Sequence, residues 1–240
     1  MVKITADNYD QNVLKEGPQF QVDKFYEPKD AYAQRRIRIV MEMIGLKTRK
    51  KVLDVGCGVG TFAFHCARRN LFSVGMDYSV ESVKMAAALC DGFGVGGRAK
   101  FIVGNGARFP FKESCFDTII AADFIEHITY EEKMGFLDEV CRVLKPAGEI
   151  IVFTPNGIRE RIGEMYWKLR NVLFKDTIPH TDLHFGLTTK RKFEALLKDL
   201  NLAFSLRYRD VMRPYLAWLP LMRSFLALNL VWVIQKREAA

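Results

Sequence analysis

The stretch that decides the fold of this 240-residue chain is Val52-Leu53-Asp54-Val55-Gly56-Cys57-Gly58-Val59-Gly60. A short apolar run ends in an acid and alternating glycines, and a helical pattern begins at Thr61. This order predicts a strand, a tight turn and a helix, where the backbone approaches a ligand closely because glycine has no Cβ. A dinucleotide-binding turn would also require glycine at position 61, where this chain has threonine, so the motif differs from that type of turn. The acid at position 54 suits a ligand with an ammonium group better than a pyrophosphate.

Four further motifs follow this turn in order along the chain. They are Leu71–Asp77, Phe101–Phe111, Phe116–Asp123 and Arg142–Phe153. With the first motif they cover roughly residues 50 to 156, and together they resemble the class I S-adenosylmethionine-dependent methyltransferases. Within that family the chain is most similar to the small-molecule type, such as the ubiquinone- and menaquinone-pathway enzymes. The resemblance implies S-adenosyl-L-methionine as the cofactor.

The pattern of apolar residues predicts an α/β fold. Strand patterns alternate with helical ones, which indicates right-handed crossovers and a parallel sheet covered on both faces. The resemblance implies a doubly wound, mostly parallel sheet of seven strands, with the last two pairing as an antiparallel hairpin at its edge. The predicted strands lie near 51–55, 72–76, 100–103, 117–121, 149–154, 202–208 and 230–234.

We predict a single methyltransferase domain over residues 1–240. Residues 1–48 form a helical lead-in, in which 1–29 is a loose polar entry and a helix begins after Asp30 and ends at Gly45. Residues 50–156 form the cofactor-binding core. Two later segments, 157–188 and 211–228, are insertions and candidate lids over the substrate.

Composition limits the cellular setting and the partners. The five cysteines are scattered without Cys-x-x-Cys spacing, and we find no signal peptide or membrane-spanning stretch, so we expect a cytoplasmic protein. The net charge of +8 has two interpretations, an ordinary solvated surface or attraction to an anionic partner.

The resemblance also assigns cofactor-binding residues. It places Asp54, Gly56, Cys57 and Gly58 at the methionine end of the cofactor and Asp77 at the ribose hydroxyls. It places Tyr78 and Met76 beside the adenine. It also assigns to the cofactor site Asn105, Gly106 and Ala107 in the loop after the third strand, and Asp123 at the end of the fourth. The family often has aspartate where this chain has Asn105.

The segment after the fourth strand leaves several interpretations open. Asp123, Glu126 and His127 would share one face of a helix, and they could shape the pocket or contact the cofactor. His127 could instead act as a general base, or the trio could bind a divalent metal, although we expect no metal. His184 is a candidate catalytic residue that the resemblance places beside the substrate pocket, and the alternative is an ordinary loop histidine.

The acceptor is predicted from the aromatic side chains of the two insertions. They pack either in an ordinary core or as a lid over a small lipophilic acceptor of quinone, prenyl or lipid type. The lid interpretation includes peripheral contact with a membrane surface. One alternative is a nucleic-acid methyltransferase, although the fourth strand ends without an Asn/Asp-Pro-Pro-aromatic motif and we expect no nucleic-acid partner. Another is a cofactor-binding adaptor without turnover.

Overall fold

The computed structural model describes residues 5–44, 50–174, 186, 189–209 and 227–236. Short turns join the main elements, a π-helical one at Val22–Tyr26 and a 3-10 one at Ile125–His127. The helices are α1 Ala6–Gln21, α2 Ala31–Ile44, α3 Thr61–Arg68, α4 Val80–Gly92, α5 Tyr130–Val143, α6 Gly157–Phe174 and α7 Lys190–Asp199. The strands are β1 Lys51–Val55, β2 Phe72–Asp77, β3 Ala99–Val103, β4 Phe116–Ala122, β5 Leu144–Pro155, β6 Leu202–Arg209 and β7 Asn229–Lys236.

The seven strands form one sheet in the order β3-β2-β1-β4-β5-β7-β6. The first five strands are parallel, whereas β7 runs antiparallel to both β5 and β6. This confirms the predicted doubly wound sheet with an antiparallel hairpin at its edge. The strand order reverses between β1 and β4, which is where open α/β sheets bind ligands at the carboxyl ends of their strands.

Helices cover both faces of the sheet. On one face, Phe136 of α5 and Phe193 of α7 pack into a core that includes Trp232 of β7. On the other, Ile37 of α2 and Phe62 of α3 pack against β1, β4 and β5. The central strands are therefore buried on both sides, which explains their nearly continuous apolar sequence.

The N-terminal segment differs from the prediction. Residues 1–29 were expected to be loose, but α1 and the π-helical turn occupy 6–26 with a break at Gly17, where φ is 73°. The π-helical turn places Tyr26 in the interior. Its hydroxyl donates a hydrogen bond of 2.6 Å to the carbonyl of Val59 in the glycine turn after β1. The Tyr26 ring also packs on Phe64 of α3, with centroids 4.2 Å apart. The lead-in thus supports the turn after β1.

We predict that Tyr26→Phe lowers the free energy of unfolding by about 1–3 kcal/mol, because the buried Val59 carbonyl loses its donor. Tyr26→Ala should cost more, about 3–5 kcal/mol, because it also leaves a cavity. Urea unfolding measures both changes. The matched control is Tyr130→Phe, since Tyr130 is 50% exposed and should change stability by less than about 0.5 kcal/mol. Equal stability of Tyr26→Phe and the control would contradict the proposed support.

Candidate active site

The turn after β1 is fastened to the end of β2. In the parallel register Val55 lies beside Met76, and the Met76 carbonyl accepts from the backbone N–H groups of Gly56 (2.8 Å) and Cys57 (3.1 Å). The N–H of Gly58 donates to Asp77 Oδ2 at 2.8 Å. The turn and the acid at the end of β2 therefore form one rigid unit.

A cavity of about 320 Å³ opens beside this unit, bounded by the loop after β3 and the segment after β4. Most of the predicted site residues line it. They are Gly56, Gly58, Asp77, Tyr78, Asn105, Gly106, Ala107, Asp123 and His127. His184 lies outside the described residues, so its role stays a prediction.

Two predicted cofactor residues, Asp54 and Cys57, do not line the cavity. Asp54 is 1% exposed and accepts a 3.1 Å hydrogen bond from the N–H of Ala63, at the start of α3. Burial raises the pKa of Asp54 to about 7, against the opposing effect of this hydrogen bond. Burial also raises the pKa of the Cys57 thiol. Both side chains support the turn, and their contact with the cofactor stays a prediction.

Asp77 and Gly58 provide the features that a nucleoside ligand needs. The Asp77 carboxylate accepts from Ser79 N through Oδ1 (2.9 Å) and from Gly58 N through Oδ2. Because each oxygen has a second lone pair, it retains capacity for ribose hydroxyls. Burial raises the pKa of Asp77, while these N–H donors oppose the shift. At Gly58 φ is +52°, and no atom lies within 4 Å of where a Cβ would stand, so a ligand can approach its backbone.

Phe124 forms the floor between the glycine turn and the loop after β3. A Cβ on Gly56 would lie 2.5 Å from Phe124 Cδ2, and one on Gly106 would lie 2.6 Å from Phe124 Cζ. Glycine is required at both positions because the aromatic ring fills the space between them. In the same loop, Asn105 Oδ1 accepts from Ala107 N at 2.9 Å. That bond shapes the loop, and the adenine contact of Asn105 stays a prediction.

The expected helical face of Asp123, Glu126 and His127 is wrong. Asp123 adopts a left-handed φ of 52°, and the 3-10 turn begins only at Ile125, so the three residues do not lie on one continuous helix. The Asp123 carboxylate pairs with Arg36 of α2, with Nε and Oδ2 2.5 Å apart. The residues divide accordingly: Asp123 and His127 line the cavity, whereas Glu126 does not.

Glu126 is a buried acid next to the site. Its Oε2 accepts from Thr154 Oγ1 at 3.2 Å, while Oε1 has no hydrogen-bond partner among the described residues. Burial, and secondly the charge of Asp123, raise the pKa of Glu126 to about 8, so it is largely protonated at neutral pH. Within the described ranges, no three His, Cys, Asp or Glu side chains are grouped so as to hold a metal ion.

The side chain of the buried Lys133 links Gly186, before α7, to Ile128 in the segment after β4. Lys133 Nζ donates to the carbonyls of Ile128 (2.6 Å) and Gly186 (2.8 Å), and Gly186 N donates to the carbonyl of Glu126 at 2.8 Å. Burial lowers the pKa of Lys133 to about 8. These contacts hold the wall of the cavity near His127.

Sequence reasoning missed several residues of the site. Tyr9, Phe124, Ile128 and Glu132 line the cavity. Phe124 directly follows Asp123 and could have been found from its place after a central strand. Tyr9 gave no such signal, because its segment reads as polar and carries no motif.

Glu126 generates a pH prediction. Because its pKa in the folded protein lies above the ordinary value of 4.5, its contribution to stability is present below pH 4.5 and lost as the pH rises through about 8. Glu126→Gln should therefore match the wild type near pH 5 and exceed it by about 1–4 kcal/mol at pH 9. Urea unfolding at pH 5, 7 and 9 measures the difference. Glu42→Gln, at an exposed position of α2, is the control; a constant offset of Glu126→Gln from the wild type at all three pH values would refute the assignment.

Comparison with known proteins shows which proteins the chain is similar to. Residues 52–148 match the model of a methyltransferase domain. Norajmaline N-methyltransferase of Rauvolfia serpentina is 33% identical over 109 residues, which are 45% of this chain and 37% of that protein. Sterol 24-C-methyltransferase erg-4 of Neurospora crassa is 27% identical over 166 residues, 68% of this chain and 40% of that protein.

The solved structures agree on the fold. A SAM-dependent methyltransferase from Aquifex aeolicus is 15% identical, with a TM-score of 0.62 over 97% of this chain and 99% of that one. The chain spans 37% and 40% of the lengths of the two curated relatives named above. The matched range 52–148 contains the glycine turn, Asp77 and every residue that lines the cavity except Tyr9. Residues 52–148 are therefore a methyltransferase domain by sequence, and the chain shares the fold of the SAM-dependent methyltransferase from Aquifex aeolicus.

Proposed function

We propose that this protein transfers the methyl group of S-adenosyl-L-methionine to a small, largely apolar acceptor. The observation that carries the proposal is the cavity at the carboxyl ends of β1, β2 and β4. There the open backbone of Gly58 and the incompletely used carboxylate of Asp77 face the same space. A nucleoside with a free ribose diol and an amino-acid tail fits this combination.

The sulfonium of the cofactor supplies the reactive methyl group, and the residues of the chain bind and orient the reactants. Asp77 would accept hydrogen bonds from the ribose hydroxyls, and Tyr78 and Met76 would flank the adenine. Holding a nucleophile in line with the methyl group contributes several orders of magnitude in rate. His127 lines the same cavity and would take the proton from an oxygen nucleophile, which typically adds about 10²- to 10⁴-fold.

The cavity walls favour an apolar acceptor. Phe124 and Ile128 line the cavity together with His127. The relatives named above are a norajmaline N-methyltransferase and a sterol 24-C-methyltransferase. We extend to this chain only a small-molecule acceptor that offers one nucleophilic atom; its apolar character is argued from the cavity walls.

The proposal includes peripheral contact with an anionic membrane surface through α6. Ile162, Met165 and Leu169 recur at helical spacing, and their exposed fractions are 42%, 67% and 59%. Arg161, beside this apolar face, is also exposed. An apolar face with basic residues alongside binds the headgroup region of bilayers. No helix among the described residues is long and apolar enough to cross a membrane.

We predict that Asp77→Asn raises the dissociation constant for S-adenosylhomocysteine roughly tenfold or more, because charge-assisted hydrogen bonds to the ribose are lost. Asp77→Ala should have a larger effect. Isothermal titration calorimetry measures both, and Asp138→Asn on the exposed face of α5 is the control. Unchanged affinity in both Asp77 variants would remove the support for the proposed site.

We predict that the wild-type protein cosediments with vesicles containing phosphatidylglycerol, and less so at high salt because exposed charges are screened. Leu169→Glu should reduce the bound fraction several-fold, since it places a charge on the apolar face. Leu14→Glu is the matched control, because Leu14 is a 61% exposed leucine on another helix. Equal binding of the two variants would show that α6 is not the contact surface, and no binding at low salt would end the membrane proposal.

A further inference from the structure

Helix α1 contributes a side chain to the cofactor cavity. Tyr9 lines the cavity and is half-buried. Its ring meets Tyr78 edge to face, with centroids 5.6 Å apart and an interplanar angle of 65°. Tyr78 directly follows Asp77, so Tyr9 lies on the side of the cavity where the ribose and adenine are expected. Neither the glycine turn nor the matched range 52–148 contains this residue.

Asp10 holds α1 in this position. Its Oδ1 accepts from Ser79 Oγ at 2.5 Å and from the backbone N–H of Glu81 at 2.9 Å. Ser79 is the N-cap of α4, so the Asp10 carboxylate satisfies an N–H group that helices leave unpaired in their first turn. The two hydrogen bonds lower the pKa of Asp10, so it stays charged beside the positive end of the α4 dipole.

This attachment continues to the residue proposed to bind the ribose. Ser79 Oγ donates to Asp10, Ser79 N donates to Asp77 Oδ1, and Gly58 N donates to Asp77 Oδ2. The docking of α1, the orientation of Asp77 and the glycine turn are therefore joined by consecutive hydrogen bonds. The Tyr9 phenol stays protonated because burial, and then the charge of Asp77, raise its pKa, so the hydroxyl remains a donor.

We infer that Tyr9 is a cofactor-binding residue that closes the adenosine side of the cavity with Tyr78, and that Asp10 positions it by fixing α1 to the start of α4. This inference rests on the proposed function. The bound cofactor leaves only when α1 moves away from α4, so Asp10 controls its rate of release.

The test measures association and dissociation rates of S-adenosylhomocysteine by surface plasmon resonance on the full chain. Tyr9→Ala should raise the dissociation constant roughly tenfold through lost aromatic contact, and Tyr9→Phe should retain most of the affinity. Asp10→Ala should accelerate dissociation roughly tenfold, with a smaller change in the dissociation constant because association also speeds up. Asp10→Asn should restore slow release, since its amide oxygen accepts the same two hydrogen bonds.

Asn12→Ala, at an exposed position of α1, is the matched control. Tyr9→Ala and Asp10→Ala rates within twofold of this control would overturn the inference while leaving the proposed function intact. No binding to the wild-type chain would overturn both. Hydrogen exchange of the wild type gives an independent measurement: adding S-adenosylhomocysteine should slow exchange in α1 at least fivefold, and unchanged exchange there would contradict closure even if a variant failed to fold.

Discussion

The pairing of the glycine turn with the end of β2 is the constraint on which the site depends. Buried backbone N–H groups must find acceptors, and the turn leaves three of them, on Gly56, Cys57 and Gly58, at the centre of the molecule. The Met76 carbonyl and the Asp77 carboxylate accept them because the parallel register brings β2 alongside β1. Asp77 is thereby held in the wall of the cavity. Because the carboxylate is buried, a hydrogen bond from a ligand to one of its remaining lone pairs would be stronger than the same bond in water.

This arrangement gathers acids at one end of the sheet, and the protein accommodates each in a different way. Asp123 is paired with Arg36, which also lies over the ring of Phe62 with its guanidinium carbon 4.9 Å from the centroid. Asp54 and Glu126 are buried with raised pKa values, so protonation reduces their charge near neutral pH. The surroundings of the cavity therefore carry fewer fixed negative charges than the sequence suggests.

The sequence was informative where structure is local. Alternating apolar strands and helices predicted the sheet, and glycine spacing predicted the turn, because both follow from neighbouring residues. It failed where contacts join distant segments. Helix α1 buries only Val13 and Gln21, so its apolar periodicity is weak, and its docking depends on the polar contact of Asp10 with Ser79. The helical face expected at 123–127 failed because Asp123 is left-handed, a conformation that spacing cannot predict.

The division between the matched domain and the rest of the chain has a functional consequence. Residues 52–148 contain the glycine turn, Asp77 and the loop after β3, which would bind a common cofactor. Tyr9 of α1, which lines the cavity, and Arg36 of α2, which pairs with Asp123, lie before that range. Gly186, which contacts Lys133, lies after it. These contacts around the cavity therefore lie outside the region that the methyltransferase model matches. This is why a reliable assignment of the cofactor does not carry the identity of the acceptor with it.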